Sequence, residues 1–303
     1  MSVEPRNTLD VLLKGIFDYA GMYPPASRSF EEALKESATF PTSLSRPWMV
    51  GSDLVIDAEH ATRLHDADLR KFGFSRNIGI SYLASDTPPR CLQGATRLIS
   101  GKRKDGLSVS ISSMEAKVSM EGLTTLIDTL LPFCRDNSIL LAFEPDLSST
   151  AWEETLGKTI ETIRGKGIAL KCRCTGPTGI SADRLATAII SACDSRSPFK
   201  VTAGLHHPIV EPERYDNKVG FLNLATAVMI RRVKGEAISK GSIASLLTNQ
   251  NYFAIKTDGE LSYQGAGISV EELHGAKNSA HFSIGSCSLH EPDADLTRLS
   301  RGN

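Results

Sequence analysis

A (β/α)8 barrel is the fold this sequence predicts, and three observations carry the expectation. Apolar runs rich in β-branched residues alternate with longer runs at helical spacing. Eight such strand candidates are separated mainly by helices, and 303 residues suit one barrel of this kind. No GxGxxG follows the first strand and no GxxxxGK[ST] occurs, which argues against a doubly wound open sheet.

Thr8 to Gly21 reads as an amphipathic helix stopped by glycine and then by Pro24-Pro25. A second helix is expected from about Phe30 to Thr39, with Ser29 as N-cap and acidic residues in its first turn. These two helices form an expected N-terminal extension over residues 1–45, with the barrel domain over 46–303. The strand candidates are Trp48–Asp57, Asn77–Ala84, Leu107–Val118, Ile139–Asp146, Ile168–Thr175, Phe199–Leu205, Tyr252–Thr257 and Phe282–Cys287. Helices are expected over Glu59–Phe72, Pro88–Ser100, Ser119–Asp136, Ala151–Arg164, Ser181–Ala192, Lys218–Val233 and Ser239–Thr248. The seventh strand is open to two readings. Asp258-Gly259 lies between short apolar runs, a hairpin signal, so residues 252–264 form either a barrel strand or a hairpin that distorts the barrel.

Charges nearly cancel, with 34 Lys and Arg against 35 Asp and Glu. The basic runs Lys102-Arg103-Lys104 and Arg231-Arg232-Val233-Lys234 are short, so nucleic-acid binding by bulk electrostatics is not expected. Charged residues interrupt the first twenty positions and no apolar stretch reaches membrane-spanning length. The six cysteines are scattered without CxxC pairs and read as reduced thiols. A cytoplasmic protein acting on a small anionic metabolite is therefore the expectation, with no membrane partner and the oligomeric state left open.

Residues 199–207, Phe-Lys-Val-Thr-Ala-Gly-Leu-His-His, hold the densest chemical signal. Alternation puts Lys200, Thr202 and Gly204 on one face of a strand. A lysine inside a sheet is costly unless paired or working. Active sites of such barrels form at the C-terminal strand ends. There Glu144 shares a face with small Ala142, and Lys171 and Arg173 share another, with Cys172 and Cys174 turned toward the helix layer. Arg173 suits a carboxylate or phosphate because its planar fork binds both oxygens. The turn Thr175-Gly176-Pro177-Thr178-Gly179 adds backbone N–H groups beside it. Three cations beside one carboxylate would depress a lysine pKa and free an amine to act as base or imine former. The bland alternative is an ion-pair network tying strands together.

His206 and His207 follow the strand and could supply an acid or base, or help Glu144 and Glu115 hold a divalent metal. No organic cofactor is expected. Glu115 shares a face with Lys117, and serines on both faces leave its direction open. Ser286 or Cys287, beyond a small-residue strand end, could donate to a substrate anion, and Cys287 could also be a nucleophile near a histidine. The tyrosines and paired prolines of Phe17–Ala26 form a stiff turn that covers the site or, more simply, plugs the barrel bottom.

Lys200-Val201-Thr202-Ala203-Gly204 resembles the Lys-Thr-Ser-Thr-Gly strand of deoxyribose-phosphate-type class I aldolases, which lies on strand six of a (β/α)8 barrel. The likeness departs at Val201 and Ala203, and the histidines have no counterpart. It implies Lys200 as the imine-forming lysine and Lys171 as a pKa-lowering neighbour. Lys200–Pro208, Gly285–Pro292 and Asp18–Ala26 are also similar to segments of uncharacterised bacterial barrel-like proteins, which implies no activity. The expected function is a lyase or aldolase acting on a small anionic carbonyl compound, with Lys200 as imine former or base. The alternatives are a metal-dependent barrel hydrolase or lyase using Glu144 and His206, and a non-catalytic anion-binding or structural barrel.

Overall fold

The computed structural model describes residues 7–84, 87–101, 103, 105–117, 119–176, 179–213, 218–252 and 255–300. Pro177, Thr178, Lys102 and Lys104, and positions 118, 253 and 254 of two strand candidates, lie outside the described residues. A parallel sheet curls into the expected α/β barrel. Its strands are β1 (Phe17–Tyr19), β2 (Val50–Ser52), β3 (Leu54–Asp57), β4 (Ile78–Leu83), β5 (Val109–Lys117), β6 (Leu140–Glu144), β7 (Ala169–Arg173) and β8 (Phe199–Thr202). A later strand, Phe282–Ser286, completes it between β8 and β1. β2 pairs with β1 and β3 with β4, so these two short strands are halves of one barrel strand broken at Asp53. The Asp53 carboxylate there accepts bonds from Arg76 and from the Gly79 N–H.

The first barrel strand differs from expectation. The opening helix α1 spans Thr8–Leu13 and ends at Lys14-Gly15, where Gly15 turns to φ +67°. Phe17–Tyr19 then enters the sheet, all three residues buried. Helix α2 (Phe30–Ser43) is therefore the first barrel helix, begun by the capping box of Ser29 and Glu32. The expected two-helix extension shrinks to α1, and the barrel begins well before residue 46.

Within 252–264, the described residues 255–264 take the hairpin alternative. β9 (Ile255–Lys256), β10 (Glu260–Tyr263) and β11 (Ala266–Ser269) form a separate antiparallel sheet. It follows α8 (Phe221–Lys234) and α9 (Lys240–Leu247) and precedes α10 (Val270–Ser279), leaving β12 (Phe282–Ser286) to close the barrel. Counted from β1, Lys171 stands on the sixth barrel strand and Lys200 on the seventh.

The remaining helices are α3 (Ala58–Asp66), α4 (Pro88–Ser100), α5 (Met120–Asp136), α6 (Trp152–Ile163), α7 (Ala182–Asp194) and α11 (His290–Ser300). Their apolar faces and the outward strand residues make one core, which contains Cys172 and Cys174. Burial pushes both thiols up, that of Cys174 to about 12.

Two glycines make opposite predictions. Gly204 sits at φ +76°, and an added Cβ would lie 2.3 Å from Thr175 Cγ2. Gly204→Ala should cost about 1–2 kcal/mol through the left-handed backbone alone, and more through the clash. Gly157, inside α6, has nothing within 4 Å of an added Cβ. Gly157→Ala should therefore stabilise by about 0.5–1 kcal/mol. Urea denaturation of both variants checks the pair, and an equal sign for the two would contradict it.

Candidate active site

Glu115 faces the barrel interior because of a bulge. The β4–β5 register shifts between Ile80 and Ser81, so that Ser81 aligns with Ser113 and Leu83 with Glu115. Alternation then places Glu115 opposite Ala142, and the register carries Lys171 beside Lys200. Inward positions on β1, β5, β6, β7 and β8 thus all hold charge at neighbouring heights.

These charges form one alternating chain. Lys200 Nζ lies 2.5 Å from Asp18 Oδ2 and 2.6 Å from Glu115 Oε1. Glu115 Oε2 is 2.8 Å from Lys171 Nζ, which is 2.6 Å from Glu144 Oε2. Glu144 Oε1 then accepts from Arg173 Nε at 2.9 Å. Three carboxylates match three cations. Ser81 and Ser113 add hydroxyls 3.2 Å from Lys200 Nζ, and Ser81 also donates to Glu115.

This balance overturns the expected depression of the Lys200 pKa. Burial opposes the ammonium, but the Asp18 and Glu115 carboxylates outweigh it and hold the pKa above the ordinary lysine value. Burial likewise opposes ionised Glu115, and Lys171 and Lys200 more than compensate, holding it well below the usual carboxylate range. Glu144 is lowered too: burial opposes its charge, while Lys171 and Arg173 outweigh that penalty.

The chain floors a cavity of about 480 Å³ at the C-terminal ends of the strands, within the usual size range of ligand pockets. Glu115, Lys171, Arg173, Lys200, His206 and Cys287 all line it. Lys200 is 1% exposed, whereas the Arg173 side chain is 35% exposed. Arg173 spends Nε and Nη2 on Glu144, and its Nη1 has no partner among the described residues. The glycine turn contributes Thr175 and Gly176 to the lining.

Three expected site residues stand behind or beside this lining. Glu144 is buried behind Lys171 and Arg173, which it orients. His207 turns away to Asp295 of α11, with Nδ1 2.7 Å from Oδ2. Ser286 donates to the Ser288 carbonyl at 2.6 Å and lies 3.4 Å from His206 Nδ1. No three His, Cys, Asp or Glu side chains are grouped to hold a metal ion among the described residues. Glu115 and Glu144 are each committed to two cations instead.

Sequence reasoning missed Asp18 because its strand was read as helix. Of the two readings of the turn after β1, the one over the site holds rather than the simpler barrel-bottom plug, since Tyr23, Pro24 and Pro25 line the cavity. The Tyr23 hydroxyl is buried without a partner among the described residues, and burial together with Asp57 and Glu115 pushes its pKa up. Gly15, which stops the opening helix just before Ile16-Phe17-Asp18-Tyr19, is the signal that could have marked the strand.

The chain matches no protein-family model and no curated protein. No helix among the described residues is long and apolar enough to cross a membrane.

Glu115 carries a clear pH prediction. A carboxyl held below its ordinary value of 4.5 contributes stability that is present above that value and is lost as pH falls toward the folded one. Glu115→Gln leaves two buried ammonium groups short of a counter-charge and should cost about 3–5 kcal/mol near neutral pH. The gap between wild type and variant should narrow as pH drops below 4.5. Denaturant midpoints measured from neutral to acid pH test this, and a gap independent of pH would refute it.

Proposed function

We propose that the cavity is the active site of a lyase of aldolase type acting on a small carbonyl compound that carries a carboxylate or phosphate. One observation carries this reading: a lysine that lines the cavity, Lys171, is held between two carboxylates. Glu144 is positioned to take its proton, and the freed amine adds to the substrate carbonyl. A C–N bond forms and the carbonyl oxygen leaves as water with the proton Glu144 returns. Glu144 then takes the substrate's β-hydroxyl proton, and the Cα–Cβ bond breaks with its electron pair drawn into the iminium. An enamine stays on Lys171 while the other fragment leaves as an aldehyde. Arg173 and the Lys200 ammonium supply positive charge for the anionic group.

Lys171 suits the nucleophile's part better than Lys200. Four groups surround Lys200 Nζ: Asp18, Glu115, Ser81 and Ser113. Lys171 Nζ has two carboxylate partners for three protons. The aldolase resemblance is carried by residues 200–204, which lie on the seventh barrel strand counted from β1, one strand past the sixth that the resemblance implies. Lys200 then serves as the fixed cation that keeps Glu115 ionised.

Borohydride reduction in the presence of 2-oxo acids or sugar phosphates, followed by peptide mapping, should place a stable adduct on Lys171. Lys171→Met should abolish that adduct in a folded protein. An adduct on Lys200 would transfer the nucleophile's role to the lysine that the resemblance implies. Absence of any adduct across both substrate classes would leave the ion chain as an anion-binding or structural device.

A further inference from the structure

We infer that Cys287 and His206 form a thiol–imidazole pair that adds reversibly to the carbonyl carbon of a small aldehyde, making their side of the cavity a covalent aldehyde-binding site. Both residues line the cavity that Lys171 and Lys200 floor. Cys287 Sγ lies 3.5 Å from His206 Nε2 and 3.9 Å from Nδ1, so the sulfur sits beside the ring and a modest ring rotation would align it with Nε2. Glu291 Oε2 is 3.3 Å from His206 Nδ1, placing a carboxylate where it can orient the imidazole and steady its charge.

Burial holds the pair in its neutral form. It pushes the Cys287 thiol up and the His206 imidazole down, so the resting state is S–H beside a free ring nitrogen. Attack then proceeds with proton transfer. The sulfur bonds to the aldehyde carbon, the C=O π bond opens, and the thiol proton passes through His206 to the new alkoxide. The product is a thiohemiacetal, and the step needs no oxidant or second reactant. A small anionic aldehyde suits the cavity because Arg173 lines it as well. The inference stands apart from the imine proposal, because it uses neither Lys171 nor Lys200 as nucleophile.

Iodoacetamide labelling mapped by mass spectrometry tests it, with Cys193 as the internal reference. Cys193 is part-exposed whereas Cys287 is 7% exposed, so accessibility favours Cys193, while burial pushes the Cys193 thiol up to about 11 and slows it, which leaves the His206 dependence and the pH profile as the deciding readouts. The pair predicts that Cys287 reacts first, and that His206→Gln slows it on the order of 100-fold while Cys193 is unaffected. In the wild type, the Cys287 rate should change little between about pH 6 and 8, where an unassisted thiol would change roughly tenfold per pH unit. The charged groups bearing on that profile are Glu291 from α11, His207 beside His206, and Arg28 from the turn after β1. This wild-type profile decides the matter even if the His206 variant fails to fold.

Glyoxylate is the aldehyde probe, and it should protect Cys287 equally in wild type and in Lys171→Met. Preferential labelling of Cys193, a steep pH profile, or no protection by glyoxylate would overturn the inference. Protection that disappears in Lys171→Met would overturn it too, while supporting an imine at that lysine.

Discussion

An ammonium group 1% exposed inside a parallel barrel has to have its charge matched, and the architecture of this protein follows from how Lys200 meets that demand. One partner, Asp18, comes from 182 residues away, on the first strand. The other, Glu115, comes from the strand that the bulge turns inward. Each carboxylate gained needs its own counter-charge in turn, so the chain continues through Lys171 and Glu144 to Arg173. It ends at the one member whose side chain is a third exposed. Solvent reaches the chain at that end first.

The barrel centre is built around this row. Ser81 and Ser113 satisfy the ammonium where carboxylates cannot reach, and Ser52 pairs with Ser112 below them. Gly285 on β12 has no space for a side chain, since an added Cβ would fall 2.8 Å from Thr202 Oγ1. Small residues thus bring β12 close to β8 and keep the floor of the cavity open. The outer faces of the same strands carry Phe143, Leu170, Phe199 and Val201, all buried in the core beneath the helices. Packing on the outside holds the charges on the inside in register.

Much of this was legible in the sequence. Alternation alone set the faces of Lys171, Arg173 and Lys200, and it turned Cys172 and Cys174 into the core. Two features escaped. A three-residue strand is too short to show periodicity, so Phe17–Tyr19 merged with the helix before it, and Asp18 went with it. The bulge in β5 broke the alternation that would have settled the direction of Glu115. Both missing carboxylates lie on such irregular segments, which is why sequence reasoning counted an excess of cations and inferred a depressed lysine. The capping box of Ser269 and Glu272 that starts α10 belongs to a helix the sequence analysis did not name.

Charge neutrality shapes what the site can do. With carboxylates equal in number to cations, no member of the chain needs to shed its charge to fold, so a free amine arises only through proton transfer along the row. Lys171 has a carboxylate on each side and so can transfer a proton without any group leaving its place. Lys200 lies deeper and is surrounded by more partners, so losing its proton would leave Asp18 and Glu115 facing each other's charge with no cation between them. The same burial and the same two carboxylates that hold Lys200 as an ammonium would, in the proposed reaction, make it a source of field rather than a nucleophile. The proposed chemistry accordingly lies outward along the chain, toward the strand end where Arg173 meets the cavity.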